Sequence, residues 1–334
     1  MSYKAKPFYL ASPDISTMQA VTDSFQKDWF PLHSFQKDLV LYHYTTLDGL
    51  RGILQTNSLW CTDPSPLGDP MELKYGKRLV LDKLNEKIIV EKNILTVEIL
   101  KKLMNYLEFL DPSFYRVFIA CFCEDDNLLS QWRAYGRKGV GYNIGFNIKT
   151  DTMYSNILEN HSDESYLILR KIIYNPEQQD EMISNNISNI IDEAKKVEDV
   201  LKSGGEISKQ WTTEAALETV NILFDMILSL KSPVFKEEKE WRLIKVLDPD
   251  RRPELLKFRN INERLTPYLD TYIYDKVKDN YLCPISNIKI GPTLDGNMTK
   301  SNLKIFVKNL ATSDTNIKIN ADDISIETAG YVLR

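Results

Sequence analysis

Apolar positions along this chain alternate between a period of two and a period near 3.6, and the changes of period mark out its strands and helices. In "LVLYHYTT" Leu39, Leu41 and His43 fall on one side and Val40, Tyr42 and Tyr44 on the other, as in a strand about to end. Leu47, Leu50, Ile53 and Leu54 then recur at helical spacing, with Thr45 or Thr46 available as the N-cap. Gly49 and Gly52 weaken that helix, and close approach of another backbone is one reason to place them there. "SLWCTDPSPLGDPMEL" predicts a short strand and a loop, because Pro64, Pro66, Pro70 and Gly68 oppose any long element.

The pattern from Met71 to Leu110 is mainly helical. "YRVFIACFCED" returns to a strand, "DNLLSQWRAYG" predicts a short helix, and "GVGYNIGFNI" predicts a strand in which Gly141, Asn143 and Gly145 share a face. A ligand, a bulge or a crossing backbone can fill the room those glycines leave. "SYLILRKIIY" reads as a strand, residues 176–230 as two helices divided by a "KSGGE" turn, and residues 238–247 as a strand that restarts the sheet. "YLCPISNIKIGP" adds another strand, Thr299 caps a helix through about Leu310, and short strands lie near 316–320 and 324–326. Strands and helices do not alternate regularly, which excludes a doubly wound sheet and predicts a mixed α+β core.

A single elaborated domain over residues 1–334 follows, with an N-terminal extension over 1–38 and helical insertions at about 71–112 and 176–230. "SFQKDWF" at 24–30 is echoed by "SFQKDLV" at 34–40, and two copies are too few for a solenoid. Hydrophobic residues make up 43% and charged residues 27%, ordinary values for a folded chain. The net charge of −5 gives no long-range attraction to nucleic acid, so only a local basic patch would serve that partner. Four cysteines without zinc-type spacing and three histidines without an HExxH pattern give no structural metal. Cys121 and Cys123 share one strand face as small thiols. With no apolar signal core and no run long enough to span a bilayer, the expected address is a reducing cytosol, and no membrane partner is expected.

The phosphate-loop, nucleophile-elbow and dinucleotide-fingerprint motifs are absent, so candidate chemistry rests on scattered residues. His43, at a strand end, can hold a ribose hydroxyl with one ring nitrogen, helped by Tyr44 and Thr45; it is equally a histidine packed beside tyrosines. Trp132 and Tyr135, three apart, share a helical face that can stack a flat ring or reach a core. In "VFKEEKEWRLI", period two puts Glu238, Glu240 and Arg242 on one side and Lys239, Trp241 and Leu243 on the other. The charged side is either a wet face or a carboxylate pair turned toward a sugar carbon that develops positive charge. Asp69 and Glu72 in "LGDPMEL" serve as a helix cap, or with Glu238 and Glu240 as the acids of a metal-dependent nuclease.

In their joint order, "LYHYTTLDGLRGIL", "LWCTDPSPLGDPMEL", "ACFCEDDNLLSQWRAYGRKGVGYNIGF", "FKEEKEWRLI" and "ISNIKIGP" resemble the bacterial family known as domain of unknown function 2971. That family is remotely similar to the ADP-ribosyltransferases, whose split mixed sheet holds NAD in a cleft. The resemblance implies that NAD is a substrate, that His43 contacts the adenosine-side ribose, and that Tyr135 with Trp132 frames nicotinamide. It also implies that Glu240 supports transfer, with Glu238 as the upstream carboxylate. This chain lacks an unambiguous serine-threonine-serine middle motif. The implied activity is ADP-ribosyl transfer or NAD glycohydrolysis in microbial conflict or phage defence, to a macromolecular or small-molecule acceptor and under a regulatory protein. The alternatives are a catalytically silent module that binds a nucleotide or a protein, and the defence nuclease.

Overall fold

The computed structural model describes residues 39–64, 71–108, 116–148, 166–202, 219–220, 223–224, 226–247, 253–261, 263–272, 275–277, 280–282, 284–312 and 317–330. The N-terminal extension, the first "SFQKD" copy and the "KSGGE" turn lie outside them. The fold is mixed α+β, as the pattern predicts. Its strands are β1 (Leu39–Thr45), β2 (Ser58–Thr62), β3 (Arg116–Cys123), β4 (Tyr142–Ile148), β5 (Tyr166–Lys171), β6 (Glu240–Leu247), β7 (Lys257–Ile261) and β8 (Arg264–Tyr272). They continue with β9 (Asp275–Val277), β10 (Asn280–Leu282), β11 (Ile285–Ile290), β12 (Ile317–Lys318) and β13 (Ser325–Thr328). The helices are α1 (Leu47–Thr56), α2 (Met71–Val90), α3 (Ile94–Glu108), α4 (Leu129–Ala134), α5 (Pro176–Lys202) and α6 (Gly296–Ala311). No helix among the described residues is long and apolar enough to cross a membrane.

One ten-stranded sheet runs β13-β11-β4-β1-β3-β2-β8-β7, with β6 on β3 and β5 on β6; β12, β10 and β9 form a small second sheet. The branch at β3 is the feature that positions the site. One edge of β3 pairs with β6 from Arg116↔Leu247 to Cys123↔Glu240. The other edge is shared: β1 meets it at Tyr42↔Cys123 and β2 at Thr62↔Ile119. Between those two pairs the sheet opens, and α1 joins the diverging strands. Thr46 caps α1 by accepting from the Gly49 amide, and Asn57 ends it in the left-handed region that asparagine tolerates, with φ 53°. Gly52 is required because a Cβ there would come 2.3 Å from the Trp60 ring. Side chains, rather than a crossing backbone, account for both glycines of α1.

The two sheet faces bury different material. Leu41, Phe118, Phe122, Phe146, Trp241 and Leu243 pack under Leu50, Ile53 and Leu54 of α1 and Leu303 and Val307 of α6. On the opposite face Val117, Ile119 and Ile244 meet Leu228. The helical insertions have a core of their own, with Leu100, Leu103 and Leu107 of α3 against Val80 and Leu84 of α2 and Ile187 of α5. Each such leucine contributes about 1.5–3 kcal/mol, and Leu73 of α2 with Phe224 and Leu228 joins the insertions to the sheet.

The room on the glycine face of β4 is filled by backbone and by a register shift, two of the expected alternatives: a Cβ at Gly141 would stand 2.4 Å from the Thr45 carbonyl oxygen, and Gly145 faces Asn287 of β11 at a shift between Ile285 and Asn287. Two expectations need correction. The last long helix is capped by Asp295, whose carboxylate accepts from the Asn297 and Met298 amides, and not by Thr299. The strand expected from residue 238 starts at Glu240, because Pro233–Glu238 is a 3-10 turn ended by left-handed Lys239 with φ 45°.

Candidate active site

Glu240 opens β6, opposite Cys123, and is buried at 4% exposure, so the charged face of this strand is not a wet one. Its carboxylate is held from two sides. Arg242, two residues on and therefore on the same face, donates from Nε to Oε1 at 2.8 Å and from Nη2 to Oε2 at 3.1 Å. Lys231 donates from Nζ to Glu240 Oε2 at 2.9 Å and to Glu238 Oε2 at 2.6 Å. Burial on its own raises the Glu240 carboxyl, but Arg242 and then Lys231 outweigh it and hold the group at about 2. Two cations and two carboxylates thus balance, and Glu240 stays ionised in one orientation. Glu238 is the more accessible of the pair, with its side chain 17% exposed against 5% for Glu240.

Lys231 reaches this place through a short parallel pairing of Ile173 with Leu230. The buried Gln179 amide clamps the pairing, donating to the carbonyls of Ile173 at 2.7 Å and Lys231 at 2.8 Å. Tyr174 accepts from the Glu240 amide at 3.1 Å. Its phenol is raised by burial first and by Glu240 next.

Trp132 and Tyr135 differ in burial. Helix α4 ends at Ala134 with Tyr135 as its C-cap, which stays in the right-handed region and donates its amide to the Gln131 carbonyl at 2.9 Å. Trp132 is fully buried, edge-on to Tyr44 at 4.9 Å between ring centroids, and donates from Nε1 to Asn127 Oδ1 at 3.0 Å. No ring face of Trp132 is left for a ligand. Tyr44 is structural in the same way, since its hydroxyl donates to the Asp125 carbonyl at 2.9 Å and accepts from the Leu128 amide at 2.8 Å. Thr45 is buried against Gly49, where a Cβ would stand 2.0 Å from its Oγ1. Tyr44 and Trp132 thus fix the loop leading into α4, and Thr45 packs against α1.

Tyr135 is 46% exposed and has the charges of the β6 cluster around it. Partial desolvation is the main cause that raises its phenol, and Cys121, Glu238 and Glu240 add to it. His43 stands at the sheet opening, where its Nδ1 lies 2.8 Å from the Cys121 carbonyl. That bond takes the place of a backbone partner on the free edge of β3. Burial lowers the His43 pKa, the Cys121 carbonyl opposes this, and Arg259 lowers it further. Glu240 pairs with Cys123 at the end of β3, and Tyr135 lies within the charge field of Glu238, Lys231 and Glu240. Tyr42 pairs with Cys123 and so shares the Glu240 face, which turns His43 to the opposite face, beside Phe122.

Sequence reasoning missed Lys231, Tyr174 and Arg259. Lys231 stands three residues before the motif in "SLKSPVF", and only the apolar run ahead of it marked a place where a charge would need partners. Arg259 lies on β7 and donates to Thr62 Oγ1 on β2. Asp69 lies outside the described residues, and no group of three or more His, Cys, Asp or Glu side chains among the described residues is placed to hold a metal ion.

Residues 131–243 match the family model described as "Protein of unknown function (DUF2971)". The match takes in Tyr135, Lys231, Glu238 and Glu240 and leaves His43 and Arg259 outside. No curated protein and no solved structure matches the chain.

Proposed function

We propose that this chain cleaves the bond between nicotinamide and ribose in NAD and passes ADP-ribose to an acceptor nucleophile or to water. The observation that carries the reading is the meeting of an ionised, oriented Glu240, the more accessible Glu238 and the exposed Tyr135 at the end of β3, beside the opening that His43 fastens. As the C1′–N bond lengthens, its electron pair stays with nicotinamide and positive charge spreads over C1′ and the ring oxygen. A carboxylate already fixed by Arg242 and Lys231 stabilises that charge without having to reorient. The acceptor's lone pair forms the new bond to C1′, and Glu238 takes the acceptor's proton. Tyr135 offers its ring to the nicotinamide. The setting in microbial conflict or phage defence rests on the family resemblance alone.

One observation favours a second reading, a silent module that binds the nucleotide: both Glu240 oxygens are already engaged within the protein. Labelled NAD incubated with purified protein and cell extract separates the two. Release of nicotinamide, with or without labelled macromolecules, supports transfer or hydrolysis, and Glu240→Gln then lowers it by about 10²–10³-fold. NAD binding with no release, with and without extract, would support the silent module and sink the enzymatic reading.

A further inference from the structure

We propose that the β2-β8-β7 limb of the sheet opening binds the phosphate or diphosphate group of a ligand through the guanidinium of Arg259. This residue is half-buried on β7, and its side chain runs across β8 to β2. Two rings enclose it: the guanidinium carbon lies 5.3 Å from the Trp60 ring centroid and 5.7 Å from that of Tyr268. Among the described residues no carboxylate is paired with it. The acid on this face, Asp270, is paired with Lys257 and accepts from the Ser58 hydroxyl at 3.2 Å. Arg259 keeps one hydrogen bond, to Thr62 Oγ1, while its Nε and the neighbouring Trp60 Nε1 are buried donors without an acceptor. A guanidinium taken partly out of water without a counter-charge is costly, and a bidentate oxyanion is the partner its planar fork fits. Among the described residues the partners of the guanidinium are two rings and a hydroxyl. The contacts of Arg259 with Thr62 and Trp60 put the oxyanion on the β2 side of the opening, and the His43 ring senses the Arg259 charge.

If NAD is the substrate, its diphosphate is the group bound; the site itself does not depend on that reaction. Calorimetric titration of the full chain with inorganic pyrophosphate, and separately with ADP, tests it. We expect saturable binding that weakens with added salt, falls at least tenfold in Arg259→Gln, and is partly kept in Arg259→Lys. Wild-type protein that binds neither probe, or Arg259→Gln that binds as wild type does, overturns the proposal. If Arg259→Gln does not fold, the indole N–H resonance of Trp60, assigned with Trp60→Phe, must shift when pyrophosphate is added to wild-type protein; no shift overturns it. Pyrophosphate binding without nicotinamide release from NAD sinks the transferase reading and leaves this site standing. Nicotinamide release without Arg259-dependent binding sinks this site alone.

Discussion

Two charged regions of the sheet, one on β6 and one on β7, treat charge in opposite ways. On the β6 flank Lys231, Glu238, Glu240 and Arg242 are interlocked, and the two cations face the two carboxylates within hydrogen-bonding distance. On the β7 flank Arg259 is met by two rings and a hydroxyl. A closed cluster holds its members still, at the expense of leaving a charge stranded if one is removed. An open cation depends little on its neighbours for stability and retains its capacity for an outside anion. The difference separates a flank suited to orienting a reacting centre from one suited to gripping a ligand.

Breaking the closed cluster gives the largest expected effect. Lys231→Met removes the cation shared by Glu238 and Glu240, and urea denaturation should show a loss of about 3–5 kcal/mol. A loss under 1 kcal/mol would mean that the cluster is not closed. Next in size is the acid limb. Glu240 sits at about 2 in the fold against an ordinary 4.5, so its contribution is fully present above 4.5 and is lost as pH falls from there toward 2. Glu240→Gln should flatten that limb in melting temperatures taken across the window; an unchanged slope would contradict the arrangement.

Smaller effects sharpen the other flank. Arg259→Gln removes an unpaired charge and should change stability by less than about 1 kcal/mol, far below Lys231→Met. It should also move the His43 titration upward, read by proton NMR, since Arg259 helps keep that ring neutral. The neutral ring favours the fold above its ordinary 6.5 and that benefit fades as pH falls below it, so the variant should lose less stability on mild acidification. Least of all, Tyr135→Leu should leave the unfolding free energy within about 0.5 kcal/mol of wild type, because this side chain is exposed, while loss of the ring weakens the proposed NAD binding. An equal loss from Trp132→Phe would mean that the two aromatics act together after all.

Much of this was legible in the chain. Strict alternation placed β1, β3 and β6, and it separated Trp241 and Leu243 from Glu240 and Arg242 correctly, because face assignment needs only the pleat. What alternation does not say is whether a charged face is wet, since that depends on what lies over it. Here residues 228–231 arrive from the far end of a helical insertion. Trp132 and Tyr135 end up buried and exposed respectively, a difference that three-residue spacing does not report because it depends on what lies over each ring. Residues 251–280 carried no readable pattern; β7 and β8 include exposed Phe258 and Leu265 and a buried Thr266, which blur the alternation. Pairing of β2 with β8 across more than two hundred residues then created the Arg259 flank, and no local signal encodes such a partnership.

Helix α1 has one further consequence. It leaves β1 after a single residue and enters β2 after another, so both banks of the opening are tied to a rod of ten residues. Such a rod is about 15 Å long. It acts as a spacer of fixed length, and adding or deleting one residue within it would move the far bank by about 1.5 Å while turning it through a large part of a circle. The width of the gap between β1 and β2 is thus written in the residue count of "LDGLRGILQT", and a family of such chains could admit larger or smaller ligands by editing that count alone.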